Sequence, residues 1–103
     1  MENINLEDII AIREFQLVGG KDLIKVMIGK PQKIKNGEDY YCPYQIVGIG
    51  KNEVKKAFGV DAIQSLQLAM KMIGAELYTS TEARKGDLSW DGGEKGDLGF
   101  PKP

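Results

Sequence analysis

The 103-residue chain has no histidine, one cysteine, one tryptophan and two arginines, Arg13 and Arg84. Without histidine there is no Ser-His-Asp or Cys-His nucleophile pair, no imidazole base, and no ordinary zinc or non-haem iron site. An enzyme made from this chain would have to use carboxylates, lysines, tyrosines or Cys42. A single cysteine cannot form an internal disulfide, so a reducing, cytoplasmic setting is the default expectation. No run of about eighteen apolar residues is present, and no membrane-spanning helix is expected. The start, Met1-Glu2-Asn3-Ile4-Asn5-Leu6-Glu7-Asp8, lacks the basic residues and apolar centre of a secretion signal. Neither sign of charge dominates: 14 basic and 15 acidic residues leave a net charge of −1, which demands neither nucleic acid nor an anionic membrane. The charges are unevenly placed. Lysines crowd Lys21 to Lys35, and acids crowd Asp87 to Asp97.

What is present is one unmistakable helical period. Ile63, Leu66, Met70, Ile73 and Leu77 recur at steps of three and four, and Ala62 and Ala69 widen the stripe. Asp61 offers an N-cap carboxylate, with Gln64 three residues on as in a capping box. The spacing predicts a helix over 62–78. Gly74 weakens its last third, and a small residue there lets another element approach closely. Leu68, Met72 and Ala75 lie away from the main stripe. They read either as a partner surface or as a face covered by the C-terminal segment, and the second reading is favoured because exposed apolar patches are uncommon on small monomers.

The rest reads as strand and turn. Ile9–Val18 and Leu23–Gly29 are β-rich runs joined by Gly19-Gly20-Lys21-Asp22, which predicts a hairpin. Lys30-Pro31 stops the second strand, and Asn36-Gly37 signals a turn. Tyr40–Gly50 is a third strand, in which Pro43 predicts an edge position or a bulge. Val54–Phe58 reads as a short fourth strand, with a helical turn as the alternative, and 87–90 as a short last one. The expected fold is α+β: an antiparallel sheet of four to five strands with one main amphipathic helix on one face, in the order β-β-β-(β)-α-β, as a single domain over 1–103.

Three groups of side chains could carry function. Tyr40, Tyr41, Tyr44 and Phe58 lie near Lys33, Lys35, Lys51, Lys55 and Lys56. Aromatics interleaved with lysines can bind single-stranded nucleic acid, but no recognition motif is present, and strand tyrosines beside solvated lysines are the simpler reading. Cys42 has no base beside it in sequence and reads as a buried strand cysteine. Asp87, Trp90, Asp91, Glu94 and Asp97 form an acidic, glycine-rich segment. It does not match an EF-hand, and loop carboxylates alone do not make a glycosidase, so no metal or cofactor is expected. Carboxylates beside a tryptophan suit a basic protein partner; the competing reading makes Trp90 a core cap and the acids ordinary loop solvation.

Gly59-Val60-Asp61-Ala62-x-Gln64-x-Leu66-Gln67-Leu68-Ala69, preceded by Tyr41-Cys42-Pro43-Tyr44-Gln45-Ile46-x-Gly48 and followed by Asp97-Leu98-Gly99-Phe100-Pro101, resembles a family of small bacterial domains of unknown function. The resemblance spans nearly the whole chain and brings no catalytic residues with it. In type, though not in motif, the chain is also similar to the immunity proteins of contact-dependent inhibition systems, which neutralise a cognate toxin. The expected function is therefore a cytosolic, non-enzymatic immunity protein that blocks the active site of a basic toxin, for example a nuclease, through Asp87, Trp90, Asp91, Glu94 and Asp97. The alternatives are a nucleic-acid-binding module using the Lys/Tyr face and a small carboxylate- or lysine-based enzyme.

Overall fold

The computed structural model describes residues 4–20 and 23–103; the first three residues, and the Lys21-Asp22 half of the expected hairpin turn, lie outside the described residues. After a 3-10 turn at Leu6–Asp8 the elements are β1 (Ile9–Leu17), β2 (Ile24–Gly29), β3 (Gln32–Lys33), β4 (Tyr40–Val47), β5 (Val54–Gly59), α1 (Ala62–Tyr78), α2 (Thr81–Arg84) and β6 (Leu88–Ser89). The six strands form one antiparallel sheet, with α1 packed against β4 and β5.

The register shows how the sheet is laid out. β5 occupies one edge of β4 from Tyr40 to Gln45, so β2 and β3 must share the other. Ile28 pairs with Tyr44 and Gln32 with Tyr41, so three residues of the β2–β3 side face two of β4. The extra residue lies in the Lys30-Pro31 break between β2 and β3, opposite Pro43, where a missing backbone donor costs least. Of the positions expected for Pro43, the sheet edge is not observed: β4 is an interior strand, and Pro43 stays in register with Lys56 on the β5 side. The Asn36-Gly37 turn is also present: Asn36 adopts φ 64°, and the Ile34 N–H donates to the Asp39 carbonyl at 2.8 Å.

Helix α1 begins as expected. Asp61 Oδ1 accepts from the Gln64 N–H at 2.8 Å, and Gln64 Oε1 accepts from the Val60 N–H at 2.7 Å. The buried stripe is rotated from the expected one. Ile63 is 68% exposed, while Ser65, Ala69, Ile73, Gly74 and Leu77 are buried. The cause is a close approach. A Cβ on Gly59 would lie 2.5 Å from the Ser65 nitrogen, so β5 and the helix meet where both side chains are small. Ser65 satisfies its hydroxyl on the Ala62 carbonyl at 2.8 Å.

Gly74 is buried for a similar reason. A Cβ there would run into the Pro101 carbonyl, because the C-terminal segment crosses the helix at this point. Leu98 and Phe100 of that segment join Phe15, Val26, Tyr44, Ile73 and Leu77 in the core. The segment passes on the Gly74 side rather than over Leu68, which remains 38% exposed, while Met72 reaches the core. The polar stretch after α1 contains α2, capped by Ser80, whose Oγ accepts from the Ala83 N–H at 3.2 Å. Among the described residues no helix is long and apolar enough to cross a membrane.

Candidate functional site

The acidic segment is a loop wrapped around its own tryptophan. The Trp90 ring lies under the Arg13 guanidinium, 3.8 Å from ring centroid to Cζ, and its indole N–H donates to the Asp97 carbonyl at 3.0 Å. Gly92, Gly93 and Gly99 pack directly on the ring; a Cβ on Gly99 would sit 2.6 Å from Trp90 Cζ2. Arg13 also donates to the Gly99 carbonyl at 3.1 Å, tying the loop to β1. Asp97 Oδ1 accepts from the Gly99 N–H at 2.8 Å, and the Tyr78 hydroxyl accepts from the Leu98 N–H at 2.8 Å. Asp91, Glu94 and Asp97 are exposed; Asp87 and Trp90 are half-buried, and the Asp87 carbonyl accepts from the Val18 N–H at 2.9 Å. The structure thus brings Trp90 and Asp97 together and leaves Asp91 and Glu94 pointing into solvent.

The Lys/Tyr group does not stay together. Residues alternate across the sheet, so Tyr44 and Lys55 face the helix, while Tyr41, Phe58 and Lys56 lie on the opposite face. There Tyr41 and Phe58 are cross-strand partners with ring centroids 6.5 Å apart, and the Lys56 ammonium is 4.8 Å from the Tyr41 ring. Phe58 is 56% exposed.

On the helix side a polar network escapes the sequence reading. The fully buried Tyr44 donates its hydroxyl to Glu76 Oε2 at 2.7 Å, and Lys55 donates to Glu76 Oε1 at 2.7 Å. Burial pushes the Tyr44 phenol above its ordinary range, and the Glu76 carboxylate pushes it the same way. This triad floors a cleft of about 560 Å³ between the 48–53 loop and the α1–α2 junction. Glu76 is eleven residues from Ser65, about three turns, and so falls on the observed sheet-facing stripe, where a carboxylate needs a partner; it lies off the stripe expected from Ile63, Leu66 and Met70, which is why the sequence did not single it out. Nothing local in the sequence pointed to Tyr44 as that partner.

Cys42 is fully buried, and its thiol donates to the Gly29 carbonyl at 3.4 Å. Burial pushes its pKa from 9.0 to about 11, away from nucleophilic reactivity. Among the described residues no group of three His, Cys, Asp or Glu side chains is placed to hold a metal ion.

No curated protein and no solved structure matches the chain. A family model described as a domain of unknown function, DUF6968, matches residues 11–102. That span takes in all six strands, both helices and the tryptophan-centred loop except the first two residues of β1, and so the chain belongs to the DUF6968 family.

Proposed function

We propose that this domain is a non-catalytic partner-binding protein: a cytoplasmic immunity protein that neutralises a cognate basic toxin domain by covering its active site. The observation that carries the reading is the acidic loop. Its exposed carboxylates Asp91 and Glu94 project from a backbone held in one conformation by Trp90 and Arg13, and the Asp97 carboxylate, exposed beside them, also accepts from the Gly99 N–H. Carboxylates on a preorganised loop suit a basic cleft, because little ordering entropy is lost on binding and opposite charge speeds encounter. In this arrangement Asp91, Glu94 and Asp97 make the contacts, Trp90 contributes its remaining open edge, and Asp87 flanks them.

The test is capture of partners from the host lysate by the tagged chain, followed by co-expression of the retained partner. The expected result is one stoichiometric protein that is toxic alone and harmless with this chain. The triple variant Asp91→Asn, Glu94→Gln, Asp97→Asn should lose both capture and protection while its melting temperature stays near wild type. Protection that survives the triple variant would overturn the site; a retained partner without toxicity would overturn the immunity role.

The Tyr41–Phe58 pair with Lys56 favours a second reading, single-stranded nucleic-acid binding by stacking. It predicts affinity that falls steeply with salt and is lost in Phe58→Ala. No retention of single strands at low salt would dispose of it.

A further inference from the structure

We propose that the cleft between the β4–β5 loop and the α1–α2 junction binds a small zwitterion, a free α-amino acid with an aliphatic side chain. This inference is independent of the partner-binding role of the acidic loop. The cleft, about 560 Å³, falls in the size class of small-molecule sites. Its walls are held before any ligand arrives. In the loop wall, Asn52 Oδ1 accepts from the Gly48 N–H at 2.7 Å, and the Asn52 carbonyl accepts from Gln45 Nε2 at 2.7 Å. Gly48, Gly50 and Asn52 all adopt positive φ there, which fixes a tight, defined path. In the helix wall, Thr79 donates to the Ala75 carbonyl and Ser80 to the Leu77 carbonyl, each at 2.6 Å.

The charge pattern selects the ligand. Both oxygens of Glu76 are engaged, one by Tyr44 and one by Lys55, so the floor presents an ammonium with two further donors beside a carboxylate. Lys51 and Glu53 stand on the loop wall and Glu82 on the helix wall, none of them in an ion pair among the described residues. The charged lining is two lysines and three glutamates, one of which, Glu76, is already paired with Lys55, so a ligand of one charge would be attracted by part of it and repelled by the rest. A ligand carrying an ammonium next to a carboxylate can use both: Lys51 and Lys55 for its carboxylate, Glu53 and Glu82 for its ammonium. Ile46 and Ile49 give the same cleft an apolar side for an aliphatic body.

The test is amide chemical-shift titration of the uniformly labelled full chain with L-leucine, up to about 50 mM, a range that covers millimolar affinity. Isopentylamine and 4-methylpentanoate, which are leucine without its carboxylate and without its ammonium, are titrated in parallel. The expected result is saturable shifts confined to 46–55, 76 and 79–82 with leucine, and binding of either half at least ~10-fold weaker, the equivalent of one lost charge-assisted contact. Lys51→Gln and Glu82→Gln change side chains that hold no ion pair among the described residues, and each should weaken leucine binding several-fold. Absence of saturable shifts, shifts centred elsewhere, equal binding of either half, or affinity unchanged in both variants would overturn the proposal.

Discussion

The acidic loop and the cleft are both polar regions at the edge of one small core, and they are built in opposite ways. The loop is local in sequence: from Trp90 to Gly99 it folds back on a single ring, Leu98 anchors it in the core, and among the described residues the side chains that hydrogen-bond to it from elsewhere are Arg13 and Tyr78. The cleft is distributed: its floor takes Tyr44 from β4, Lys55 from β5 and Glu76 from α1. A local structure held by one side chain fails when that side chain goes. A distributed one loses contacts singly while the sheet and helix hold the remaining groups in place.

Removing the keystone of the loop is the sharpest way to break this contrast. Trp90→Ala deletes the ring on which Gly92, Gly93 and Gly99 pack and leaves the Arg13 guanidinium with only the Gly99 carbonyl and the Phe100 ring among the partners described. The expected cost is about 3 kcal/mol, the lower end for losing a large aromatic, because Trp90 is half-buried. Chemical denaturation should show it, and amide exchange should speed up from Asp91 to Phe100 while the 44–76 region keeps its protection. An equal loss of protection in both regions would mean that they form one cooperative unit and that the contrast is false.

Alkaline pH acts on the other side of the comparison. Cys42 and Tyr44 are buried neutral on β4, and the pKa of each is raised above its ordinary value. For Cys42 the protonated native form is favoured, so its contribution is complete below pH 9 and is lost as pH rises through about 11. Losing that contribution entirely costs about 2–3 kcal/mol. Tyr44 begins to add to the loss above pH 10. Melting temperature measured from pH 8 to 11 should therefore fall, and Cys42→Ala should flatten the first part of the fall.

Tyr44→Phe separates the triad from the sheet that carries it. The variant keeps the ring in the core but leaves Glu76 with Lys55 alone. The expected loss is about 1–2 kcal/mol, the low side of the ~1.5–3 kcal/mol typical of a hydrogen bond to a charged group. Lys55 and Glu76 are each more than a third exposed, so water replaces part of what the hydroxyl supplied. A loss as large as that of Trp90→Ala would show that the cleft, too, hangs on one residue.

The same contrast explains which parts of the molecule were legible in the sequence. The helix over 62–78, its Asp61–Gln64 cap, the Asn36-Gly37 turn, five of the strands and the antiparallel α+β fold follow from periodicity and turn chemistry, which are local signals; the two-residue β3 and the short α2 lie in stretches that read only as polar. Gly74 was readable as a point of close approach, although what approaches it, Pro101, was not. Ile63 misled because a three-four period marks a face only to within a residue's width. The distance of closest approach, set by Gly59 against Ser65, decides which edge of that face turns inward. The cleft was hidden because Tyr44, Lys55 and Glu76 have no fixed spacing; only strand register and helix docking bring them together.

The smallest expected effect tests the premise of the loop most directly. Asp91→Asn and Glu94→Gln change carboxylates that are exposed and in no ion pair among the described residues. Surface changes of this kind shift stability by within ~0.5 kcal/mol. If these acids serve the fold, as N-terminal charges on a helix or members of a salt-bridge network do, each neutralisation should destabilise by more than that. If they serve a partner, stability should stay level or rise slightly, because the variants relieve repulsion among the acids between Asp87 and Asp97. Equilibrium denaturation of the double variant at low ionic strength, where unscreened repulsion is strongest, distinguishes the two by the sign of the change.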